Sequence, residues 1–509
     1  MSRPNILFIL ADDMGAWALG CAGNPEVKTP NLDRLAAQGL RLSNAYCVSP
    51  VCSPARASII TGKIPSQHGV HDWIRRGNSH GENTGDQVSA DYLKNRQKTS
   101  PGEAMDRALV DYLAGHTAYT DILAGNGYCC GLSGKWHLGN APHPQKGHTF
   151  WESHARGGGP YYNAPMIRNG EEYTEPRYVT DVITDHALEF FDKRDADKPF
   201  YLGVHYTAPH SPWGRDQHPA EYFDPYFDHC PFESTPVVPM HPWQISTAPC
   251  GSTPEIRREL LSGYYASITA MDAGIGRILD ELETRGLLEN TLVVFTGDNG
   301  MNMGHHGVYG KGNGTYPQNM YDTSVKVPFL LAQPGRVPAD KTSDVAFSHY
   351  DFLPSLLDYA GLADQTPEAL PGRSLASLWT GEEAPADAPL VVFDEYGPTR
   401  MIRSRDWKYV QRFTEHPDEL YDLVNDPDET RNLIDDPAHQ ERAASLRGEL
   451  EAWFARYVVP EQDGAHLAIC GKGQLDSLDQ SSAPDKAELF VSDWSYLKDV
   501  PAGAQAREP

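Results

Sequence analysis

Two hydrophobic patterns alternate along the chain. Three stretches are apolar at nearly every position: NILFIL (5–10), FYLGVHY (200–206) and TLVVFT (291–296). Short runs of unbroken apolarity predict strands buried on both faces, as in a mostly parallel sheet covered by helices. Between them the spacing turns helical. TPNLDRLAAQG (29–39) offers Thr29 as N-cap, Pro30 at the first helical position and Gly39 as the stop. The run ELLSGYYASITAMDAGIGRILDELETRG (259–286) and the run YDFLPSLLDYAGL (350–362) carry apolar residues at the same helical period. This alternation predicts one large α/β domain, a large mixed and mostly parallel sheet sandwiched by helices, over residues 1–385.

The pattern changes after TGEEAPADAP (380–389), an Ala/Pro/acid-rich linker. LVVFDEY, TRMIRSRDWKYVQRF and DELYDLVNDP read as short strands, and AHQERAASLRGELEAWFARYV reads as a helix. A small α+β subdomain with an antiparallel sheet is expected over 386–460, and a tail over 461–509. The tail has little periodicity and reads either as a drape over the molecule or as a subunit arm, the second implying an oligomer. The polar, Gly-rich segment 75–105 reads as a long loop over a site.

Composition narrows the partners. The chain has 509 residues and a formal charge of −26, from 69 acidic and 43 basic side chains. That balance argues against nucleic acid and anionic membranes, both of which need a basic footprint. No apolar run approaches the ~18 residues that cross a bilayer. The opening MSRPNILFILADD has a short apolar stretch that ends in two aspartates and lacks a cleavage site, so it reads as a strand. A cytoplasmic location is therefore expected. Eight cysteines are too sparse for a disulfide framework, and none has zinc-finger spacing.

Candidate chemistry lies where strands end, because open α/β sheets bind ligands there. The first strand runs into Asp12 and Asp13, and TLVVFT runs into TGDNG, with Asp298 and Asn299. Four oxygen-bearing side chains from two strand ends suit a hard divalent cation. Each pair alone also reads as a turn. In YCVSPVCSPARASIITGK (46–63), Pro54 fits the first turn of a helix with Cys52 or Ser53 at its cap. The unpaired N–H groups of that first turn favour an anion, and Arg56 lies one turn on. A buried structural thiol and a thiolate nucleophile are both alternatives at Cys52.

CSPAR has the C-x-P-x-R form of the type I sulfatase signature, and the chain resembles that family further. NILFILADDMG, SGKWHLG, YTAPHSPW, TGDNG and GHHGVYGKG resemble its active-site stretches in order, and RSRDWKYV with ELYDLVNDPDETRNL resembles its C-terminal subdomain. The resemblance implies an alkaline phosphatase-like fold and hydrolysis of a sulfate ester. It implies a maturase that oxidises Cys52 to formylglycine, and Ca²⁺, with Mg²⁺ as the alternative, held by Asp12, Asp13, Asp298, Asn299 and position 52. Arg56 and Lys135 would stabilise charge, and His137 would take a proton from the nucleophile. His210 and Lys311 would sit at the ester oxygen, with His210 as acid for the leaving alcohol.

HGVHDW (68–73) places His71 and Asp72 as candidate substrate contacts, and His306 lies near the metal strand. The expected substrate is a small-molecule or oligosaccharide sulfate ester, a sulfated carbohydrate before an aryl sulfate. A phosphonate or phosphodiester hydrolase on the same scaffold is the alternative. The cations gathered by these motifs would make a positive pocket inside an acidic protein.

Overall fold

The structure, a computed structural model, describes residues 3–79, 109–245, 247–384, 391–481, 483 and 485–491. Its core is a ten-stranded sheet. In chain order the strands are β1 (Asn5–Ala11), β2 (Leu40–Leu42), β3 (Cys129–Lys135), β4 (His148–His154) and β5 (Ala164–Arg168). They continue as β6 (Glu171–Glu175), β7 (Phe200–His205), β8 (Thr291–Gly297), β9 (Phe329–Ala332) and β10 (Lys341–Ser343). Their spatial order is β10-β2-β9-β8-β1-β7-β3-β4-β5-β6.

The five central strands, β8 to β4 in that order, are parallel. Strand β9 is antiparallel to both β8 and β2, β10 is parallel to β2, and β5 and β6 complete the other edge antiparallel. The three apolar stretches seen in the sequence are neighbours at the centre, where Leu7 lies beside both Leu202 and Val293.

Successive β1 residues serve opposite faces. Ile6, Phe8 and Leu10 join the layer containing helix Cys52–Thr61 and helix His349–Tyr359, while Leu7 and Ile9 join the layer containing Val179–Lys193 and Pro254–Thr284. Each of these fully buried side chains contributes on the order of 1.5–3 kcal/mol. Burial on both sides explains why the strands read as continuous apolar runs.

Four further strands, β11 (Val392–Tyr396), β12 (Thr399–Arg403), β13 (Trp407–Arg412) and β14 (Glu419–Asp422), form a separate antiparallel sheet. The segment 399–413, expected as one strand, is a hairpin, closed where Ser404 N–H donates to the Trp407 carbonyl. Helix Gln440–Tyr457 covers this sheet with Leu446, Leu450 and Phe454. Beyond it, the described part of the tail lies back on the large domain: Gln474 pairs with Ile74 in parallel and with Phe490 antiparallel.

Residues 80–108, including most of the polar loop, and 385–390, including the end of the linker, lie outside the described residues. Among the described residues, no disulfide joins any of the eight cysteines. Among the described residues, no helix is long and apolar enough to cross a membrane.

Candidate active site

The C-terminal ends of β1, β3, β7 and β8 deliver the candidate residues to one place. At the end of β1, Asp13 adopts a left-handed φ of 63°, which turns the chain sharply after Asp12. Tyr264 holds this turn by donating to the Asp13 carbonyl and accepting from the Gly15 N–H, both at 3.1 Å. Asp13 N–H donates to Asp298 Oδ1 at 3.0 Å, and Asn299 Nδ2 donates to Asp13 Oδ1 at 2.9 Å. The turns after β1 and β8 are thereby locked together.

Helix α1 (Pro30–Ala37) forms as expected after Thr29. Helix α2 (Cys52–Thr61) is buried along its whole length, begins at Cys52 and takes Val51 as its N-cap. The cap is thus one residue earlier than the sequence suggested, and Val51 has no side-chain oxygen to satisfy the first turn. Ser53 instead uses its Oγ to accept the Ile74 N–H at 3.0 Å. Arg56, one turn in, donates through Nε to Asp298 Oδ2 at 2.9 Å and through Nη1 to the Lys135 carbonyl at 3.0 Å.

Lys135, the last residue of β3, donates to Asp12 Oδ2 at 2.6 Å. Lys311 donates to Asp13 Oδ1 at 2.5 Å and reaches Cys52 Sγ at 2.7 Å. His137, two residues past Lys135 and at φ 56°, donates from Nε2 to the Ile74 carbonyl at 2.9 Å. Its buried Nδ1 has no partner among the described residues, which leaves that nitrogen as the acceptor. His210 donates from Nδ1 to the Ser211 carbonyl at 2.7 Å, which sets its Nε2 3.6 Å from Asp13 Oδ2.

Two kinds of orphaned buried atom mark what this cluster can hold. Among the described residues, Asp12 Oδ1 and Asn299 Oδ1 are buried acceptors without hydrogen-bond partners, while Arg56 Nη2 is a buried donor without one, 3.8 Å from Asp12 Oδ1 and too far to bond it. Buried polar atoms need partners, so the first pair fits a cation and the second an anion. Ligand atoms of Asp12, Asp13 and Cys52 lie within 4.8 Å of one another, and Asp298 and Asn299 adjoin them. The residues present therefore fit a hard divalent ion.

The electrostatics follow from burial and neighbours. Burial pushes the Cys52 thiol up to about 12, and the nearby Lys135 and Lys311 only partly offset it. An unmodified Cys52 is thus a neutral thiol in this setting. Burial raises the Asp12 carboxyl above its usual range despite Lys135, with Asp298 adding to the rise. At Asp13 the same burial is outweighed by Lys311 and His210, and its carboxyl is held low. Burial, reinforced by Lys135, holds the His137 imidazole well below its ordinary value, so it is neutral.

Three of the expected contacts are engaged elsewhere. His71 Nε2 donates to the Gln462 carbonyl at 2.7 Å. Asp72 accepts from Tyr396 Oη at 2.6 Å and from the Gly473 N–H at 2.9 Å. Both side chains hold the C-terminal tail, and both are buried. His306 stacks on Tyr321, with ring centroids 3.8 Å apart.

Gly157–Gly159 also belong to the site, outside every motif named above. A Cβ on Gly157 would meet His137 Cε1 at 2.1 Å, and one on Gly158 would meet His210 Cε1 at 2.9 Å. The glycine run packs directly against both imidazoles. Three consecutive glycines shortly after β4 were the available signal.

Residues 4–362 match the family model described as Sulfatase, and residues 304–455 match that described as N-sulphoglucosamine sulphohydrolase, C-terminal. The chain belongs to the sulfatase family. It is 28% identical over 501 residues to an N-acetylglucosamine-6-O-sulfatase of Bacteroides thetaiotaomicron, covering 83% of this chain and 81% of the relative. It is 32% identical over 448 residues to an ulvan-active sulfatase of Formosa agariphila, covering 84% and 76%.

In three dimensions this sulfatase resembles a protein solved in complex with its substrate D-glucosamine-2-N,6-O-disulfate. The TM-score is 0.72 at 23% identity, over 91% of this chain and 100% of that one. The solved structure shares the fold of a large, mostly parallel sheet between helices with a separate antiparallel sheet, and family and relatives together make the protein a sulfuric ester hydrolase.

Proposed function

We propose that this sulfatase removes sulfate from a sulfated carbohydrate, using Cys52 oxidised to formylglycine and a Ca²⁺ ion. One observation carries this: ligand atoms of Asp12, Asp13 and Cys52 gather within 4.8 Å of one another at the end of β1, with Asp12 Oδ1 and Asn299 Oδ1 unpartnered acceptors and Arg56 Nη2 an unpartnered donor 3.8 Å from Asp12 Oδ1. The preference for a sugar is supported by relatives named for N-acetylglucosamine-6-O-sulfate, ulvan and N-acetylgalactosamine-6-sulfate. The oxygen-rich set of Asp12, Asp13, Asp298 and Asn299 suits Ca²⁺, with Mg²⁺ the alternative. Hydrated formylglycine supplies a hydroxyl nucleophile when present, and the bound cation supplies positive charge beside it.

The chain's own residues then divide the work. Arg56 Nη2 and Lys135 present fixed donors to sulfate oxygens, in a site where burial strengthens each interaction. His137 Nδ1, left as an acceptor by the Nε2–H bond to Ile74, takes a proton from position 52. His210 Nε2, oriented by the Nδ1–H bond to Ser211, faces the leaving oxygen, with Lys311 beside it. Three cations, Arg56, Lys135 and Lys311, balance the Asp12, Asp13 and Asp298 carboxylates, so a divalent ion makes the pocket positive despite the chain's −26 charge.

The test uses protein made in a host with a formylglycine-generating maturase, with position 52 checked by peptide mass. Sulfated mono- and disaccharides, aryl sulfates and phosphonate esters are then compared. Release of sulfate from at least one sugar, fastest of the panel, is expected. Faster turnover of phosphonates by converted protein would overturn the reading in favour of a phosphonate hydrolase.

A further inference from the structure

The tail beyond residue 457 lies outside both matched family segments, 4–362 and 304–455, yet it grips the loop that orients His137. We infer that Gln474 is a positioning residue for the His137 imidazole, and that the C-terminal tail is thereby part of the catalytic apparatus. The inference rests on the role proposed above for His137.

The physical chain is short. Gln474 is fully buried, at 0 % exposure. Its Oε1 accepts the His71 N–H at 2.9 Å, and its Nε2 donates to the carbonyls of Gly69 and Asp476, each at 3.0 Å. Its backbone brackets Ile74: the Gln474 N–H donates to the Trp73 carbonyl and its carbonyl accepts the Arg75 N–H, both at 2.8 Å. Ile74 is the residue whose carbonyl holds His137 Nε2 and whose N–H is held by Ser53, the neighbour of Cys52.

The same tail reaches the other side of the site. Asn313, two residues from Lys311, donates to the Gly471 carbonyl at 3.2 Å, and Gln318 donates to the Ile469 carbonyl at 2.8 Å. The Asp72 carboxylate and the His71 ring, expected to meet substrate, instead anchor this tail to the loop. The buried Gln474 amide thus pins the tail to residues 69–71, the Gln474 backbone so held sets the direction of the Ile74 carbonyl, and that carbonyl fixes which imidazole nitrogen can accept a proton. A displacement of an ångström at a reacting group costs about a hundredfold in rate.

The experiment compares Gln474→Leu in wild-type and His137→Ala backgrounds, on the best sulfate ester from the panel. In the wild type, kcat is expected to fall about 10- to 100-fold with KM within about twofold. In the His137→Ala background the same change is expected to add less than about twofold, because coupled residues are not additive. Without turnover, ¹⁵N-histidine-labelled Cys52→Ala protein is expected to show His137 as a single Nε2–H tautomer, and the added Gln474→Leu to mix the two tautomers.

Equal losses in both backgrounds, unchanged kcat, or an unchanged tautomer would overturn the inference. Full activity in His137→Ala would instead sink the proton-acceptor role itself. Should Gln474→Leu fail to fold, Gln474→Glu carries the same comparison, since it keeps the acceptor but loses the donor to Gly69 and Asp476.

Discussion

Position 52 shows how far single residues can be read and where they stop. The spacing of Cys52, Pro54 and Arg56 was legible, because a helix start beside a cation has a sequence signature. The neutral thiol was not, because its cause is burial, pushing it up to about 12. Cys52→Ala is expected to lose at least about a thousandfold in kcat while keeping its fold; activity surviving in a sulfate-release assay would remove position 52 from the chemistry. The glycine run gives a sharper test. Gly157→Ala and Gly158→Ala place a methyl 2.1 and 2.9 Å from imidazole carbons and are expected to cost about a hundredfold in kcat. Gly159→Ala meets its nearest atom, on His154, at 3.5 Å, an ordinary contact, and is expected to be tolerated. Equal effects of all three on measured kcat would show that the run does not act through the histidines.

Elements set how these residues are held. Helix α2 is buried on every side, so the hydrophobic periodicity that reveals amphipathic helices was absent there, and only its Pro and neighbouring motif marked it. Strand β13 ties the small sheet to the large domain: Lys408, with 0 % exposure, donates to Asp322 Oδ1, in the helix Asp322–Val325, at 2.6 Å and also pairs with Glu429. Burial alone would lower this ammonium's affinity for its proton, but Asp322 and Glu429 outweigh it and raise it. Lys408→Met leaves those carboxylates short of a buried partner and is expected to cost about 3–5 kcal/mol in denaturant unfolding. A loss below about 1 kcal/mol would show that Arg403 and Lys326 suffice for Asp322.

For the whole molecule, proton uptake on unfolding sets the pH dependence of stability. Burial holds His71, His148 and His154 down to about 4, and His218 and His349 down to about 3. Each is neutral when folded and charges when unfolded below its ordinary value of about 6.5. Their stability is therefore fully present above that value and is lost as pH falls toward the folded values, by up to about 1.4 kcal/mol per group per pH unit. Asp72, raised to about 6 by burial, and Asp351, raised to about 7, act in the opposite direction, losing stability as pH rises through those values. His116, His186, His241 and His306 are likewise held to about 4 and His305 to about 3, against Asp272 raised to about 6 and Glu152 and Glu429 to about 7. The depressed histidines still outnumber the raised acids, so Tm is expected to fall from pH 6.5 to 5; calorimetry showing a rise would contradict the buried neutral histidines. The proposed cation is expected to act on the same scale. Ca²⁺ is expected to raise the Tm of Cys52→Ala protein, and chelation to abolish wild-type turnover until Ca²⁺ returns.

The chain's own order of residues determined the central strands, the aspartates at their ends, the Cys52 helix and the order of the active-site motifs. These depend on local periodicity and on short spacings, which a linear pattern records. Tertiary structure decided that His71 and Asp72 serve the tail, that Gly157 and Gly158 flank the imidazoles, and which nitrogen of His137 is left to accept a proton. Each of those outcomes depends on a contact between segments far apart in the chain. Burial and hydrogen-bond direction exist only once such segments meet.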